Sequence, residues 1–263
     1  MNEKATTPPK AEAARGARAV WRIGRGRIGG STTLGLFARW AIEAGRGVLA
    51  ADGDPNNPML SRLFPPDGPH GVKRPESAGL EASKLWLSAA LAEAVTKKVS
   101  IVIDMGGGDR VGEEMAAEAD VGIFLKENGI RPTFVYFTGP ERDDFDHAYR
   151  IWEASAFRDG DSLLVMNAGL SRSAAKSDAP FEWLNREARF QEMEEGGVRM
   201  VTLPALTCMK YFEADNLSVF DVFDGKKRPD GTPVNLLWVH MARAWEATFK
   251  ANLSGENVLG WLP

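Results

Sequence analysis

An apolar segment, a glycine-rich loop and a helical pattern follow one another near the start of the chain. Residues 18–23 read Arg-Ala-Val-Trp-Arg-Ile, which is typical of a strand, and residues 24–30 include four glycines. Apolar side chains recur at helical spacing over residues 31–44, and residues 48–51 are again typical of a strand. This order predicts a parallel βαβ unit with a right-handed crossover.

Strand-like and helix-like segments continue to alternate along the rest of the chain. The remaining strands are predicted at residues 100–103, 133–137, 162–166 and 200–203. The remaining helices are predicted at residues 82–96, 113–119, 143–156, 180–195 and 235–253. Such alternation predicts an α/β fold in which a doubly wound, mostly parallel sheet forms a single domain over residues 18–263.

Two of these helices are expected to differ in burial. The segment 180–195 is expected to be an exposed helix, whereas the segment 235–253 is expected to bury one face. The face predicted to be buried in the second helix consists of Leu236, Leu237, His240, Met241 and Trp245.

Composition excludes several classes of protein. With 263 residues, of which 44% are hydrophobic, the chain is long and apolar enough for a folded α/β domain. Its one cysteine, Cys208, excludes an internal disulfide and a four-cysteine metal site. No apolar run approaches the ~20 residues of a membrane span, and the first residues lack the apolar core of a signal peptide. We therefore expect a cytoplasmic protein.

The glycine loop is predicted to bind an anion, because backbone N–H groups at a helix start point outward and glycines allow close approach. Two known patterns fit it. The segment from Gly24 to Ser31 matches a P-loop in every element except the lysine, whose place is taken by Gly30. The same glycines also match a dinucleotide-binding loop, with Asp52 about twenty residues further on, so an NAD(P)-binding oxidoreductase is the alternative.

Polar segments at the ends of later strands help to choose between these patterns. Residues 52–57 read Asp-Gly-Asp-Pro-Asn-Asn, residues 104–107 read Asp-Met-Gly-Gly, and another strand ends at Asn167. Residues 211–220 read Tyr-Phe-Glu-Ala-Asp-Asn-Leu-Ser-Val-Phe, and the loop at 25–32 reads Arg-Gly-Arg-Ile-Gly-Gly-Ser-Thr. Together these segments resemble the ParA/MinD family of deviant P-loop ATPases, whose loop reads Lys-Gly-Gly-Val-Gly-Lys-Ser/Thr-Thr.

The resemblance implies a site for ATP and Mg²⁺, in which each role falls on the residue at the matching position. The family's metal ligands match Ser31 and Asp104, and Asp52 matches a residue near the metal. Asp54 matches the residue that orients the attacking water, and Gly107 matches the glycine that senses the γ-phosphate. Hydroxyl and carboxylate oxygens are ligands that suit Mg²⁺.

The resemblance also implies further contacts from the loop and from one strand end. The loop residues expected to bind nucleotide are Gly24, Gly26, Arg27, Gly29, Gly30, Ser31 and Thr32. Asn167 matches the family's adenine-contacting residue, although an asparagine there could instead cap the end of the strand. Arg25 takes the place of the family's signature lysine, a catalytic residue that reaches the partner's phosphates across a dimer.

Two departures from the family loop bear on catalysis. Gly30 removes the lysine that binds the β- and γ-phosphates, and Arg27 replaces a glycine. Losing a charge-assisted phosphate contact predicts weaker binding and a larger loss of turnover. Either Arg25 and Arg27 together replace the missing charge, or the protein has lost hydrolysis and is a binding module. Both alternatives stay open at the level of sequence.

We therefore expect a nucleotide-binding protein that is an ATP-dependent dimerisation switch in plasmid partition, conjugative transfer or positioning, with hydrolysis weak or lost. A non-hydrolysing scaffold and an NAD(P)-binding oxidoreductase are the alternatives. The expected partners are a second copy of the chain, to form a homodimer, and another protein. Residues 1–17 form a predicted disordered basic tail, and any DNA contact is expected there because the whole chain has a net charge of -4.

Overall fold

A computed structural model describes residues 16–106, 110–154, 160–171 and 179–263 of the chain. Nearly all of the predicted tail, Gly107 and the last two residues of the helix predicted at 143–156 lie outside these ranges. The bounds of the elements below therefore refer to the described residues.

One parallel sheet forms the centre of the fold. The strands are β1 (Arg18–Ile23), β2 (Val48–Asp52), β3 (Ser100–Asp104), β4 (Arg131–Thr138), β5 (Asp161–Asn167) and β6 (Arg199–Leu203). Their order across the sheet is β2-β3-β1-β4-β5-β6, and all neighbouring strands pair in parallel. The prediction of a mostly parallel sheet is confirmed, and the described sheet is parallel throughout.

Helices connect these strands. They are α1 (Gly30–Glu43), α2 (Met59–Leu63), α3 (Leu80–Lys97), α4 (Arg110–Ala119), α5 (Val121–Glu127), α6 (Arg142–Glu153), α7 (Ala188–Glu195), α8 (Met209–Ala214), α9 (Val219–Phe223) and α10 (Leu236–Gly255). The sequence pattern does not predict α2, α5, α8 and α9, because segments of 5 to 7 residues hold too little of a helical period. Among the helices that the structure describes, none has the length and hydropathy of a transmembrane segment.

The helices cover both faces of the sheet. Trp21 of β1 packs into one hydrophobic core with Leu87 of α3 and Phe145 of α6. Val20 packs into a second core with Phe249 of α10. Because successive side chains of a strand point to opposite faces, these cores lie on opposite sides of the sheet. The predicted single, doubly wound α/β domain is confirmed.

The segment 180–195 differs from its prediction in both shape and burial. Two short 3-10 turns precede α7, so the segment is not one continuous helix. Its buried side chains include Phe181, Leu184, Phe190 and Met193. The Phe190 and Trp183 rings have their centroids 6.2 and 5.9 Å from that of Phe145. The prediction of an exposed helix is wrong because these apolar side chains anchor the segment against α6.

The C-terminal helix α10 also buries a different face from the one predicted. Its buried residues are Ala242, Trp245, Phe249 and Leu253, which are spaced three or four residues apart. By contrast, Leu236 and Leu237 are 82% and 62% exposed, and His240 is exposed. The predicted face is therefore wrong at Leu236, Leu237 and His240, which precede the fully buried stripe, whereas Met241 packs partly buried against the core and Trp245 is buried.

Candidate functional site

The loops after β1, β2, β3 and β5 meet at the carboxyl edge of the sheet. The strand register sets Asp52 directly beside Asp104, and Ile23 at the end of β1 beside Tyr136 of β4. In open parallel sheets, ligands bind in the crevice outside this edge. The candidate site therefore lies here, where the polar strand ends and the glycine loop converge as the sequence predicts.

The loop between β1 and α1 needs glycine at two positions. Gly24 and Gly29 have φ values of 154° and 90°. A Cβ atom on Gly29 would lie 2.5 Å from Asn167 Nδ2, which leaves no room for a side chain. Arg27 also has a positive φ, 63°, although it carries a side chain. Its side chain and Gly26 are exposed, so the Arg27 side chain lies outside the buried part of the site, and its predicted phosphate contact stays a prediction.

The first turn of α1 is arranged to receive an anion. The helix follows Gly29 as its N-cap, and no described side chain caps its first turn or places an acid there. The N–H groups of such a turn and the helix dipole favour a phosphate. Ser31 and Thr32 are half-buried in this turn, and Thr32 Oγ1 lies 3.8 Å from Met59 Sδ. This end of the helix fits a phosphate group.

Arg22 is a buried cation in this site that the sequence analysis does not identify. It lies on β1 and is only 2% exposed. Its Nη1 donates to Asp104 Oδ1 at 3.3 Å and to the Gly106 carbonyl, and its Nη2 donates to the Arg25 carbonyl. The guanidinium thus joins the glycine loop to the loop after β3.

The Arg22 side chain explains why residue 30 is a glycine. A Cβ atom on Gly30 would lie 2.0 Å from Arg22 Nε and 2.5 Å from Arg22 Cδ. The two positions therefore compete for one volume, and only one of them can carry a side chain into it. The sequence signal for this exchange is the combination of an arginine inside a buried strand with a glycine at the P-loop lysine position.

Asp52 is held inside its own loop. It is 1% exposed, and its Oδ1 and Oδ2 accept hydrogen bonds from the backbone N–H groups of Asp54 at 3.1 Å and Ser61 at 2.8 Å. Burial raises the pKa of Asp52 to about 6, and the nearby Asp104 carboxylate acts in the same direction. Both oxygens thus stabilise the turn after β2.

The carboxylates of this edge do not fit a bound Mg²⁺ ion as they are arranged. Asp104 Oδ1 already accepts from the Gly106 N–H at 2.9 Å and from the permanently charged Arg22. Among the described residues, no group of three or more His, Cys, Asp or Glu side chains could hold a metal ion. The metal role of Ser31, Asp52 and Asp104 stays a prediction.

Asp54 and Arg74 line the same edge. Asp54 Oδ1 accepts from the backbone N–H groups of Asn56 at 2.8 Å and Asn57 at 3.0 Å. A Cβ atom on Gly106, whose φ is 75°, would lie 3.0 Å from Asp54 Oδ2, so this carboxylate faces the loop after β3. Arg74 Nη2 donates to the Asp54 carbonyl, which adds a second cation that the sequence analysis does not identify.

Asn167 holds the glycine loop in position. It is 7% exposed at the end of β5, and its Nδ2 donates to the Ile28 carbonyl at 2.9 Å. Its Oδ1 accepts from the Gly169 N–H at 2.9 Å. Both ends of the amide therefore have a protein partner at the strand end. The predicted adenine contact of Asn167 stays a prediction.

Arg25 lies at the surface of the loop. Its side chain is 49% exposed, and its Nη1 lies 3.3 Å from Oδ1 of Asp144 in the first turn of α6. Burial raises the pKa of Asp144 from its ordinary value, while the Arg25 charge opposes this shift. Exposed pairs of this kind contribute little to stability, so the side chain is free to change partners.

Comparisons with known proteins give likenesses of fold alone. No family model and no curated protein matches the chain. It is similar to chloroplast FtsY from Physcomitrella patens, with 15% identity and a TM-score of 0.47 over 89% of this chain and 68% of that one. It is similar to the MinC:MinD cell division protein complex of Aquifex aeolicus, with 12% identity and a TM-score of 0.47 over 88% and 96%.

A third similar structure is the signal recognition particle receptor FtsY from Elizabethkingia anophelis in complex with GDP. Its identity is 13% and its TM-score is 0.49, over 95% of this chain and 66% of that one. Identities of 12% to 15% and TM-scores of 0.47 to 0.49 do not assign the chain to a family.

Proposed function

We propose that this chain binds ATP by its phosphates at the glycine loop and acts as a nucleotide-dependent switch rather than as an efficient ATPase. One observation carries the proposal: the uncapped first turn of α1 lies against the buried guanidinium of Arg22. A helix start and a fixed cation in a desolvated site are a common way to bind phosphate.

The environment of Asp52 favours ATP over NAD(P). In a dinucleotide-binding fold the acid after the second strand accepts a hydrogen bond from the ribose. Here both Asp52 oxygens accept backbone N–H groups, and the residue is 1% exposed. The oxidoreductase alternative therefore lacks the ribose contact on which it depends.

The same contacts support the proposal that hydrolysis is weak or absent. Asp54 Oδ1 is occupied by two backbone N–H groups, and residue 30 has no side chain to contact a γ-phosphate. A site of this kind binds ATP but hydrolyses it slowly or not at all, so the bound and free forms of the protein can act as two states. The non-hydrolysing scaffold differs from this proposal only in having no nucleotide-dependent state.

The wider role is taken from the resemblance of the glycine loop and of segments 52–57 and 104–107 to the ParA/MinD family. We propose a cytoplasmic homodimer in which ATP favours association, with Arg25 reaching toward the second copy. A protein partner binds the ATP-bound dimer in plasmid partition, conjugative transfer or positioning. Any DNA contact comes from residues 1–17.

Equilibrium binding of a fluorescent ATP analogue to the full chain tests the first step. The analogue is displaced by ATP, ADP and NADH in turn, and phosphate release is followed in the same samples. We expect ATP and ADP to displace it, NADH to be ineffective, and phosphate release to be slow or absent. Displacement by NADH alone would favour the oxidoreductase, and no displacement by any nucleotide would reject the proposed function.

Sedimentation with and without ATP tests the switch. We expect ATP to shift the wild-type chain toward a dimer and Arg25→Ala to lose that shift while it still binds ATP. Arg243→Ala is a matched control, because Arg243 is 47% exposed and lies 3.4 Å from Glu246 on α10. Equal sedimentation of the wild type with and without ATP would leave only the scaffold.

A further inference from the structure

We propose that Arg22 is the phosphate-binding cation of this site and that nucleotide binding does not require Mg²⁺. The inference rests on the proposed function and deepens it, because it names the group that recognises the phosphates and the species that is bound. The expected ligand is a nucleoside di- or triphosphate without a metal ion.

The first step is the exchange of volume between two positions. The side chain of Arg22 passes through the space where a side chain on residue 30 would begin, since its Nε lies 2.0 Å from the position of a Cβ on Gly30. Its guanidinium then ends between the Arg25 and Gly106 carbonyls. The cation of the loop is therefore supplied from β1 instead of from α1.

The second step is an unused donor. Among the residues that the structure describes, none accepts a hydrogen bond from the buried Arg22 Nε–H. A buried donor without an acceptor is unfavourable, and it gains most from a ligand that supplies one. A phosphate oxygen at the first turn of α1 is such an acceptor, because this donor lies beside Gly30, the first residue of that helix.

The third step concerns the metal. Arg22 and Asp104 form an ion pair of 3.3 Å whose side chains are 3% and 2% exposed. Asp104 is the carboxylate that the family resemblance assigns to Mg²⁺, and here a guanidinium that stays charged neutralises it. A metal ion at Asp104 would lie beside a second positive charge in a desolvated site, which is unfavourable. Arg22 therefore takes the place of both the lysine and the metal.

The experiment compares ATP affinity in excess EDTA with ATP affinity in Mg²⁺, by competition against the fluorescent analogue. For the wild type, we expect the two dissociation constants to agree within about threefold, a difference well below one charge-assisted contact. For Arg22→Lys, we expect a loss of about tenfold or more in both conditions, because the shorter, single-point cation cannot keep the same contacts. Arg18→Lys, which changes another buried arginine of β1, is the control and should bind as the wild type does.

A double variant tests the exchange of positions directly. Arg22→Ala with Gly30→Lys removes the strand cation and restores the lysine, which frees Asp104. We expect this variant to bind ATP in Mg²⁺ and to lose about tenfold or more in EDTA. Circular dichroism and thermal unfolding check that each variant is folded.

Each other result has a distinct meaning. If the wild type binds ATP only with Mg²⁺, the inference fails and the proposed function stands. If the wild type binds in neither condition while the double variant binds, Arg22 blocks the site instead of binding phosphate, and the inference is overturned. If no folded form binds nucleotide, the proposed function fails together with the inference.

Discussion

Two arginines of the same strand occupy opposite ends of the sheet and differ in what surrounds them. Arg18, at the start of β1, is 5% exposed and pairs with Asp161 of β5, whose side chain is 23% exposed. Arg22, at the end of β1, pairs with Asp104, whose side chain is 2% exposed, and also donates to two loop carbonyls. Both face the same side of the strand, because they are an even number of residues apart.

The two arginines differ in the solvent exposure of their carboxylate partners and in the buried donor that Arg22 leaves without an acceptor among the described residues. The pair of Arg18 joins two strands at the edge where ligands do not bind, and its carboxylate keeps contact with solvent. Arg22 has a buried Nε without an acceptor among the described residues, and it lies against a helix start. The first arginine is therefore explained by the fold alone, whereas the second keeps a buried donor for which we propose a phosphate acceptor.

The largest expected effect is a difference in lost stability between alanine variants of the two arginines. Arg22→Ala leaves Asp104 buried and unpaired, and we expect the free energy of unfolding to fall by about 3–5 kcal/mol. Arg18→Ala leaves Asp161 partly solvated, and we expect a loss of about 1–2 kcal/mol. Urea denaturation of both variants measures the difference. Equal losses would mean that Asp104 is not isolated from solvent as described.

A second effect concerns the pH dependence at the carboxyl edge. Burial raises the pKa of Asp52 from 3.8 to about 6, so the folded state holds this proton more tightly than the unfolded state does. Stability from this group is therefore complete below pH 4 and is lost as the pH rises to about 6, by up to about 3 kcal/mol.

Asp52→Asn tests this effect through the shape of the pH profile. We expect the decline in unfolding free energy between pH 4 and 6.5 to be smaller in this variant than in the wild type by up to about 3 kcal/mol. Asp67→Asn, at an exposed position of the following loop, is the control and should leave the profile unchanged. A wild-type profile that rises steadily across this range would contradict the environment described for Asp52.

Gly30 offers a third and smaller effect, which depends on Arg22 itself. We expect Gly30→Ala to lower the unfolding free energy by about 1–3 kcal/mol through overpacking against Arg22. In an Arg22→Lys background, whose side chain is easier to displace, the loss should be smaller. Gly255→Ala is the matched control, because Gly255 ends α10 with open space around it and alanine favours a helix there. If Gly30→Ala lowers the unfolding free energy equally in both backgrounds, residues 22 and 30 do not compete for one volume.

The smallest effect extends the comparison to two asparagines. Asn167 Nδ2 donates to the Ile28 carbonyl at 2.9 Å, and Asn252 Nδ2 donates to the Thr202 carbonyl at 2.8 Å. We expect either alanine variant to lose about 1 kcal/mol of stability. Only Asn167→Ala should also weaken ATP binding, since Asn167, unlike Asn252, contacts the glycine loop. Titration of both variants with the fluorescent analogue is the measurement, and equal affinities would remove Asn167 from the site.

The strands and the location of the candidate site could be predicted because short buried strands and glycine loops have strong local patterns. Asp52, Asp104 and Asn167 do converge at one edge, as parallel strands require. Arg22 could not be predicted from local patterns, because its role depends on Gly30, eight positions along the chain and on a different element. Only the folded chain shows that both positions compete for one volume.

The wrong predictions of burial for two helical segments have a related cause. The segment 180–195 mixes charged residues with aromatic ones, and the contact with Phe145 decides its burial. In α10 the residues Leu236 and Leu237 look apolar enough to be buried, yet the stripe that meets the sheet begins at Ala242. Tertiary contacts, which the local pattern does not contain, decide both cases.

The most direct test of Arg22 as the phosphate cation is nuclear magnetic resonance of arginine side chains in ¹⁵N-labelled protein. The Arg22 Nε–H signal is assigned by its loss in Arg22→Lys and followed as ATP is added in excess EDTA. We predict a downfield proton shift and slower hydrogen exchange at this one site as the buried donor gains a phosphate acceptor, while the Arg18 signal stays in place. If ATP shifts the backbone amides of residues 29–32 and leaves the Arg22 signal unchanged, nucleotide binds at the loop without Arg22, and the central claim is wrong.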